Sequence, residues 1–304
     1  MIEWEHHKTK EESRVTEKTR NDCQDAKKVG ILGILGNIFL FTIKIIVALI
    51  SKSQAMLADS VNSGTDILTS VMTYIGGVIS SAAPDDDHNY GHEKAEYVSS
   101  LIISLVMGYL AIQTLVGGIS SLIHQSSFIL SSELIIVCVV TILTKFLMYL
   151  YVKKVAKKNN DILIMASGED HRNDILITLS VLIGVLAAIY RIYWLDGIVA
   201  IGIAIRIFYS AITFFVQSYS VLMDRAMDEK GIEKIKEIIQ KYEKIDHIDK
   251  ITSKATGKAF VVIIKVSVDG NMTVNESHQI AGRLKADVMQ LPEVYDVVVH
   301  INPL

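Results

Sequence analysis

Six long stretches of the chain are dominated by apolar residues, at about 29–51, 55–81, 95–123, 131–156, 162–190 and 197–222. Each reaches the roughly 20 residues that an α-helix needs to cross a bilayer. The pattern predicts an all-α domain of six transmembrane helices over 29–223. The polar connections alternate in character. Lys27 and Lys28 precede the first run, Asp85 to Lys94 forms the second connection, and Lys153, Lys154, Lys157 and Lys158 lead into the fourth. The first, third and fifth connections offer only Lys52 and Arg191 as bases. An excess of Lys and Arg on one side predicts that both termini lie in the cytosol. Tyr190, Tyr193 and Trp194 fall where an interfacial aromatic belt is expected. Gly30, Gly33 and Gly36 make a small-residue stripe on the first helix, read as packing glycines.

The texture changes after Asp224. Ile232, Ile235, Ile238 and Ile239 recur at helical spacing within 228–244, and 247–256 and 258–268 read as strands. Thr273 and Glu276 form a capping box that opens a helix running to about Gln290. A last strand covers 294–301. The order α-β-β-α-β predicts a small α+β domain over 224–304. Residues 1–28 are dense in charge and have no apolar core or cleavage site, so they are expected to form a cytosolic segment rather than a signal peptide.

Half of the 304 residues are hydrophobic, and mean hydropathy is +0.37. The formal net charge of −3 carries little meaning because the charges are segregated to the ends. Cys23 and Cys138 are the two cysteines, too few and too far apart for a disulfide framework or a thiolate metal site. No glycine-rich nucleotide loop is present, which disfavours an ATP-driven pump. Catalytic signatures are missing too, so neither an enzyme nor a bound cofactor is expected. His88 and His92 share a His-x-x-x-His spacing, but Asn89 stands where a zinc protease needs Glu, and Gly91 disfavours a helix.

The informative residues are polar groups inside apolar runs. A carboxylate at membrane depth costs about 2.5–3.5 kcal/mol on insertion scales and usually marks an ion or proton path. The second run holds Asp59, Asn62 and Asp66; the fifth holds Glu169, Asp170, His171, Arg172, Asn173 and Asp174. Asn62 and Asp66 are four apart, as are Asp170 and Asp174, so each pair shares one helix face. If those faces meet, four oxygen-bearing side chains converge on one cation. The alternative is that these acids pair with Lys44, Lys145 or Arg172, and Asp59 in particular suits pairing or helix packing.

The run from Ala58 to Asp66 resembles the second-helix signature of the cation diffusion facilitator family, and Asp170 to Asp174 resembles its fifth-helix signature. His88 to Glu96, Asp196-Gly197 and Met223 to Ala226 match further motifs in order, and the likeness extends over nearly all of 28–304. The resemblance implies a homodimeric six-helix transporter with a ferredoxin-like, metallochaperone-like cytosolic domain. It implies export of divalent metal ions across the cell membrane in exchange for protons. It implies that Asn62, Asp66, Asp170 and Asp174 bind the transported ion, that Asp85, His88 and His92 match a loop-borne metal site, and that Lys94 pairs with Asp224 to join the third helix to the end of the sixth. The loop also reads as a merely solvated acidic segment. Asp249, His278 and His300 fall at ligand positions of a cytosolic site, but Lys265 and Asn302 stand where further ligands would be, and a protonated Lys has no lone pair. One weak cytosolic site, or none, is expected.

Zinc-type relatives carry His or Asp where this chain has Asn62, and His where it has Asp170. Hard oxygen ligands suit Mn²⁺, whereas imidazole suits Zn²⁺. The ligand set therefore resembles the manganese-type branch, with Zn²⁺, Fe²⁺ and Co²⁺ open as alternatives. A membrane-anchored metal sensor is the competing reading from another class. An anchor has no use for intramembrane carboxylates.

Overall fold

The computed structural model describes residues 30–80, 82–124, 128–159 and 162–304. The charged segment 1–28 lies outside them. Six long helices come first: α1 (Gly30–Ser51), α2 (Gln54–Ser80), α3 (Lys94–Ile123), α4 (Ser132–Asn159), α5 (Ile162–Ala187) and α6 (Trp194–Leu222). A short 3₁₀ turn, Ala188–Tyr190, follows α5. Five of the six are long and apolar enough to cross a membrane. The exception is α2. Its 27 residues span about 40 Å, but Asp59, Asn62 and Asp66, together with its serines and threonines, dilute its apolar content.

The chain divides into two compact units whose boundaries fall inside α2, α3 and α6. The first comprises the residues up to Ser70 with Val106–Ser210. Large apolar side chains such as Leu49, Leu143, Leu147 and Ile205 lie exposed on the helices, as expected where lipid is the solvent. Its interior is unusually polar: Lys44, Asp59, Asn62, Lys145 and Asp174 are all buried. Two devices fix helix ends and contacts. Asp196, at the start of α6, accepts from Ser53 Oγ at 2.5 Å and from the backbone N–H groups of Gln54 at 2.7 Å and Ala55 at 3.2 Å. It thereby caps the positive end of α2. A Cβ on neighbouring Gly197 would stand 3.0 Å from the Gly118 carbonyl oxygen, so glycine lets the α3 and α6 backbones touch. The glycine stripe of α1 behaves differently. A Cβ at Gly36 would meet Met148 of α4, whereas at Gly30 and Gly33 it would meet nothing within 4 Å among the described residues.

The second unit comprises Val71–Leu105 and Ala211–Leu304. Its α+β part runs α7 (Glu229–Ile239), β1 (Ile245–Ala255), β2 (Phe260–Val268), α8 (Val274–Val288) and β3 (Val294–Pro303). The sheet order is β1-β2-β3, antiparallel between β1 and β2 and parallel between β2 and β3. The central strand β2 exposes only Lys265, which explains its near-continuous apolar sequence. Ile235, Ile239, Val262, Ile264, Leu284 and Val297 fill the core beneath. Asp228 caps α7, accepting from Gly231 N–H at 2.9 Å. The expected capping box is present, with Thr273 and Glu276 bonded reciprocally. The α7 pattern had suggested a helix to Lys244. It stops at Ile239, because the chain turns at Gln240–Lys244 to enter β1.

Candidate metal centre

The α2 and α5 faces that carry the acids do meet. Asn62 Nδ2 donates to Asp174 Oδ1 at 3.2 Å, and both residues are buried. Asp66 is half-buried and Asp170 exposed, so the site is most open at the Asp170 end of α5 and closes one turn deeper at Asp174. The charges of Asp174, Lys145, Arg206 and Asp170 all act on Asp66.

Two cations share this cluster. Lys145 Nζ of α4 donates to Asp174 Oδ2 at 2.5 Å and to Asn37 Oδ1 of α1 at 2.6 Å. Arg206 Nη1 of α6 donates to Asn62 Oδ1 at 2.9 Å. The ammonium and the guanidinium thus engage one oxygen each of Asp174 and Asn62. The pairing alternative holds for Asp174 with Lys145, whereas Arg172 pairs with Glu169 at 2.5 Å. Three carboxylates face two fixed positive charges. This composition avoids burying three uncompensated negative charges. Arg206 and Asn37 were not singled out in the sequence. The intramembrane Arg was legible by the rule that flagged the acids. Asn37 was not, because a lone Asn in an apolar helix has many uses.

The loop between α2 and α3 forms a tighter group. Asp85 Oδ1 lies 3.1 Å from His88 Nδ1, and Asp85 Oδ2 lies 3.3 Å from His92 Nε2. One ligand atom from each residue falls within 4.8 Å of the others. Among the described residues this is the only group of three or more His, Cys, Asp or Glu side chains so closely drawn; Asp66, Asp170 and Asp174 are more widely spaced. The loop is shaped for this. Asp85 Oδ1 accepts from the backbone N–H groups of Asp87 and His88, and Gly91 takes φ +77°, a conformation that favours glycine. Burial raises the Asp85 carboxyl pKa, but hydrogen bonds from the backbone and ring of His88, with the charges of His92 and His88, outweigh this and hold it below the usual range.

Lys94 Nζ and Asp224 Oδ1 come together at 2.5 Å, joining the start of α3 to the end of α6. The hydrogen bond from Lys94 pulls the Asp224 carboxyl below its ordinary pKa. In the sheet, Asp249 engages Ser267 Oγ at 3.0 Å, Asn302 Nδ2 at 3.1 Å and His247 Nε2 at 3.1 Å. The Asn302 amide, then the Ser267 hydroxyl and His247, hold its pKa low. His278 sits on α8, and His300 stands beside Lys265 in the β2–β3 register. The three candidates Asp249, His278 and His300 do not form a cluster within 4.8 Å.

A helical membrane part carrying buried acids on facing helices, followed by this small α+β domain, is the plan of one transporter class. The family model for the cation efflux transmembrane domain matches residues 30–223, and that for the cation efflux protein cytoplasmic domain matches 227–304. The chain belongs to the cation efflux family, the cation diffusion facilitators, and is an integral membrane transporter of divalent metal ions. It is 29% identical to the "Manganese efflux system protein MneP" of Bacillus subtilis (strain 168) over 289 residues, covering 92% of this chain and 97% of that protein. It is 28% identical to the "Cation-efflux pump FieF" of Shewanella oneidensis over 266 residues, covering 87% and 90%. A third relative is the "Magnetosome protein MamM" of Magnetospirillum gryphiswaldense, 29% identical over 266 residues and covering 86% and 83%.

Proposed function

We propose that the protein exports Mn²⁺ from the cytosol in exchange for protons, through Asn62, Asp66, Asp170 and Asp174. The observation that carries this reading is the Asn62–Asp174 hydrogen bond, which joins two oxygen-rich helix faces inside the membrane part. All four side chains offer oxygen, the ligand type that suits Mn²⁺ better than an imidazole-bearing site does. Similarity to a protein named for manganese efflux supports the same metal. Carboxylates gathered where solvation is poor resist full ionisation, so protons and a divalent ion compete for them. Zn²⁺, Fe²⁺ and Co²⁺ are the alternative cargoes. A sensor role is disfavoured by buried charges that an anchor does not need.

The protein works as a homodimer in a bacterial cell membrane, with segment 1–28 and domain 224–304 both cytosolic and 29–223 as the transport domain. Asp85, His88 and His92 form a second, loop-borne metal site, and Lys94–Asp224 is a structural tie. Asp249, His278 and His300 amount to one weak cytosolic site at most. Purified protein in liposomes, offered Mn²⁺, Zn²⁺, Fe²⁺ and Co²⁺ with and without an imposed pH gradient, tests the reading. Mn²⁺ movement coupled to counter-movement of protons is expected. Indifference to the pH gradient would contradict the antiport.

A further inference from the structure

The membrane helices bury a second ammonium–carboxylate pair. Lys44 Nζ of α1 donates to Asp59 Oδ1 of α2 at 2.9 Å, to Ser63 Oγ at 3.2 Å and to Thr178 Oγ1 of α5 at 3.4 Å. Thr178 in turn donates to Asp59 Oδ2 at 3.0 Å. Both charged side chains are 1% exposed.

This pair sits on the same helices as Lys145 and Asp174. The first helix supplies Asn37 to one pair and Lys44, two turns further on, to the other. The second supplies Asn62 and Asp59, and the fifth supplies Asp174 and Thr178. On α4, Cys138 feels the charges of Asp59 and Lys44, two turns before Lys145. Between them on that helix lies Thr141, fully buried, its hydroxyl without a hydrogen-bond partner among the described residues. The order Asp66, Asn62, Asp59 on α2 and the order Asp170, Asp174, Thr178 on α5 run the same way. They extend the ion ligands by about 6 Å toward the α1–α2 turn.

Packing does not require charges here. Apolar residues of similar volume often hold helices as well as a buried ion pair does, because the pair must be desolvated. Ionisable groups at this depth usually line a path. We propose that Asp59 is a second, transient station for the transported cation, and that Lys44 is the tethered ammonium holding that station shut. A divalent ion leaving Asp174 toward the α1–α2 turn displaces the ammonium from Asp59, while the Ser63 and Thr178 hydroxyls keep acceptors beside the displaced Lys44. This rests on the transport reading above, and it assigns a step to residues outside the ligand set.

The first test replaces the pair together, Lys44→Met with Asp59→Leu, so that no lone charge is left buried. Equilibrium Mn²⁺ binding to purified protein and Mn²⁺ flux in liposomes are compared with the parent. The expected result is a folded variant that still binds Mn²⁺ at the first station but has lost flux. Parental flux in this variant would overturn the proposal and leave the transport reading intact. A parent that moves no divalent ion would overturn both. The second test decides the matter even where the double variant fails to fold. In a Cys23→Ser background, Cys138 is the remaining thiol, buried and within reach of the charges of Asp59 and Lys44. A membrane-impermeant thiol reagent should label it faster while Mn²⁺ is being transported than in metal-free vesicles. Labelling that does not respond to turnover would mean that the pair stays closed, and the station would be discarded.

Discussion

Lys145 and Asp174 meet at 2.5 Å with both side chains buried, and the same ammonium reaches Asn37 across α1. This contact changes how the proposed ion site should be probed. Truncating Asp174 to Ala strands a buried ammonium, which costs about 3–5 kcal/mol. Asp174→Asn removes the charged ligand but keeps a hydrogen-bond acceptor for Lys145, a milder loss than truncation. Asp174→Asn and Asp66→Asn are each expected to abolish Mn²⁺ flux in liposomes at parental membrane abundance. Normal flux in either variant would remove that residue from the proposed ion site.

Selectivity should follow ligand type. Asn62→Asp with Asp170→His converts the set to two further carboxylates, one imidazole and Asp174, and should shift competitive transport toward Zn²⁺ relative to Mn²⁺. Asp170→His alone should move the ratio the same way by a smaller step. Asp170 is exposed, so the single change is expected to leave stability within about 0.5 kcal/mol. An unchanged Mn²⁺/Zn²⁺ ratio in both variants would show that ligand type at these positions does not choose the metal.

The loop triad makes a separable prediction. Asp85→Asn should lower the number of divalent ions bound per protomer by one in calorimetry, because Asp85 touches both rings. Its depressed pKa keeps the carboxylate ionised well below neutrality. Loss of loop binding on acidification to about pH 5 would therefore not come from Asp85. Unchanged stoichiometry would favour a merely solvated acidic loop.

The Lys94–Asp224 tie should be weak in energy, since both side chains are well exposed: about 0.5 kcal/mol, and less in high salt. Asp224 has a depressed folded pKa, so its contribution is present above the unfolded value near pH 4 and is lost as pH falls through the lower folded value. Asp224→Asn should remove this acid-side dependence while leaving neutral-pH melting nearly unchanged. A large loss at neutral pH would show that the tie does more than its exposure allows.

The C-terminal α+β domain should fold from its own core. An isolated 227–304 fragment is expected to melt cooperatively without metal and to bind at most one divalent ion weakly. Asp249 is already engaged by Ser267, Asn302 and His247, and Lys265 stands beside His300. Two tightly bound Zn²⁺ ions per protomer in calorimetry would contradict this.

By itself the sequence determined the long apolar helices, the αββαβ order and the acids at membrane depth. These are local matters: twenty apolar residues, a period of two or 3.6, a capping box, or a carboxylate where lipid forbids one. It also carried the family resemblance, since Ala58 to Asp66 and Asp170 to Asp174 are contiguous motifs. The tertiary structure alone decided which cations answer those acids. Lys145 is 29 residues from Asp174, and Arg206 is 144 from Asn62. Pairings at such separations depend on how helices rotate against one another, and a single helical period does not encode that rotation. For the same reason Lys44 could be matched with several acids on paper, but the fold gives it to Asp59. Buried charges must find partners wherever packing brings them, so the partner is a property of the assembled bundle.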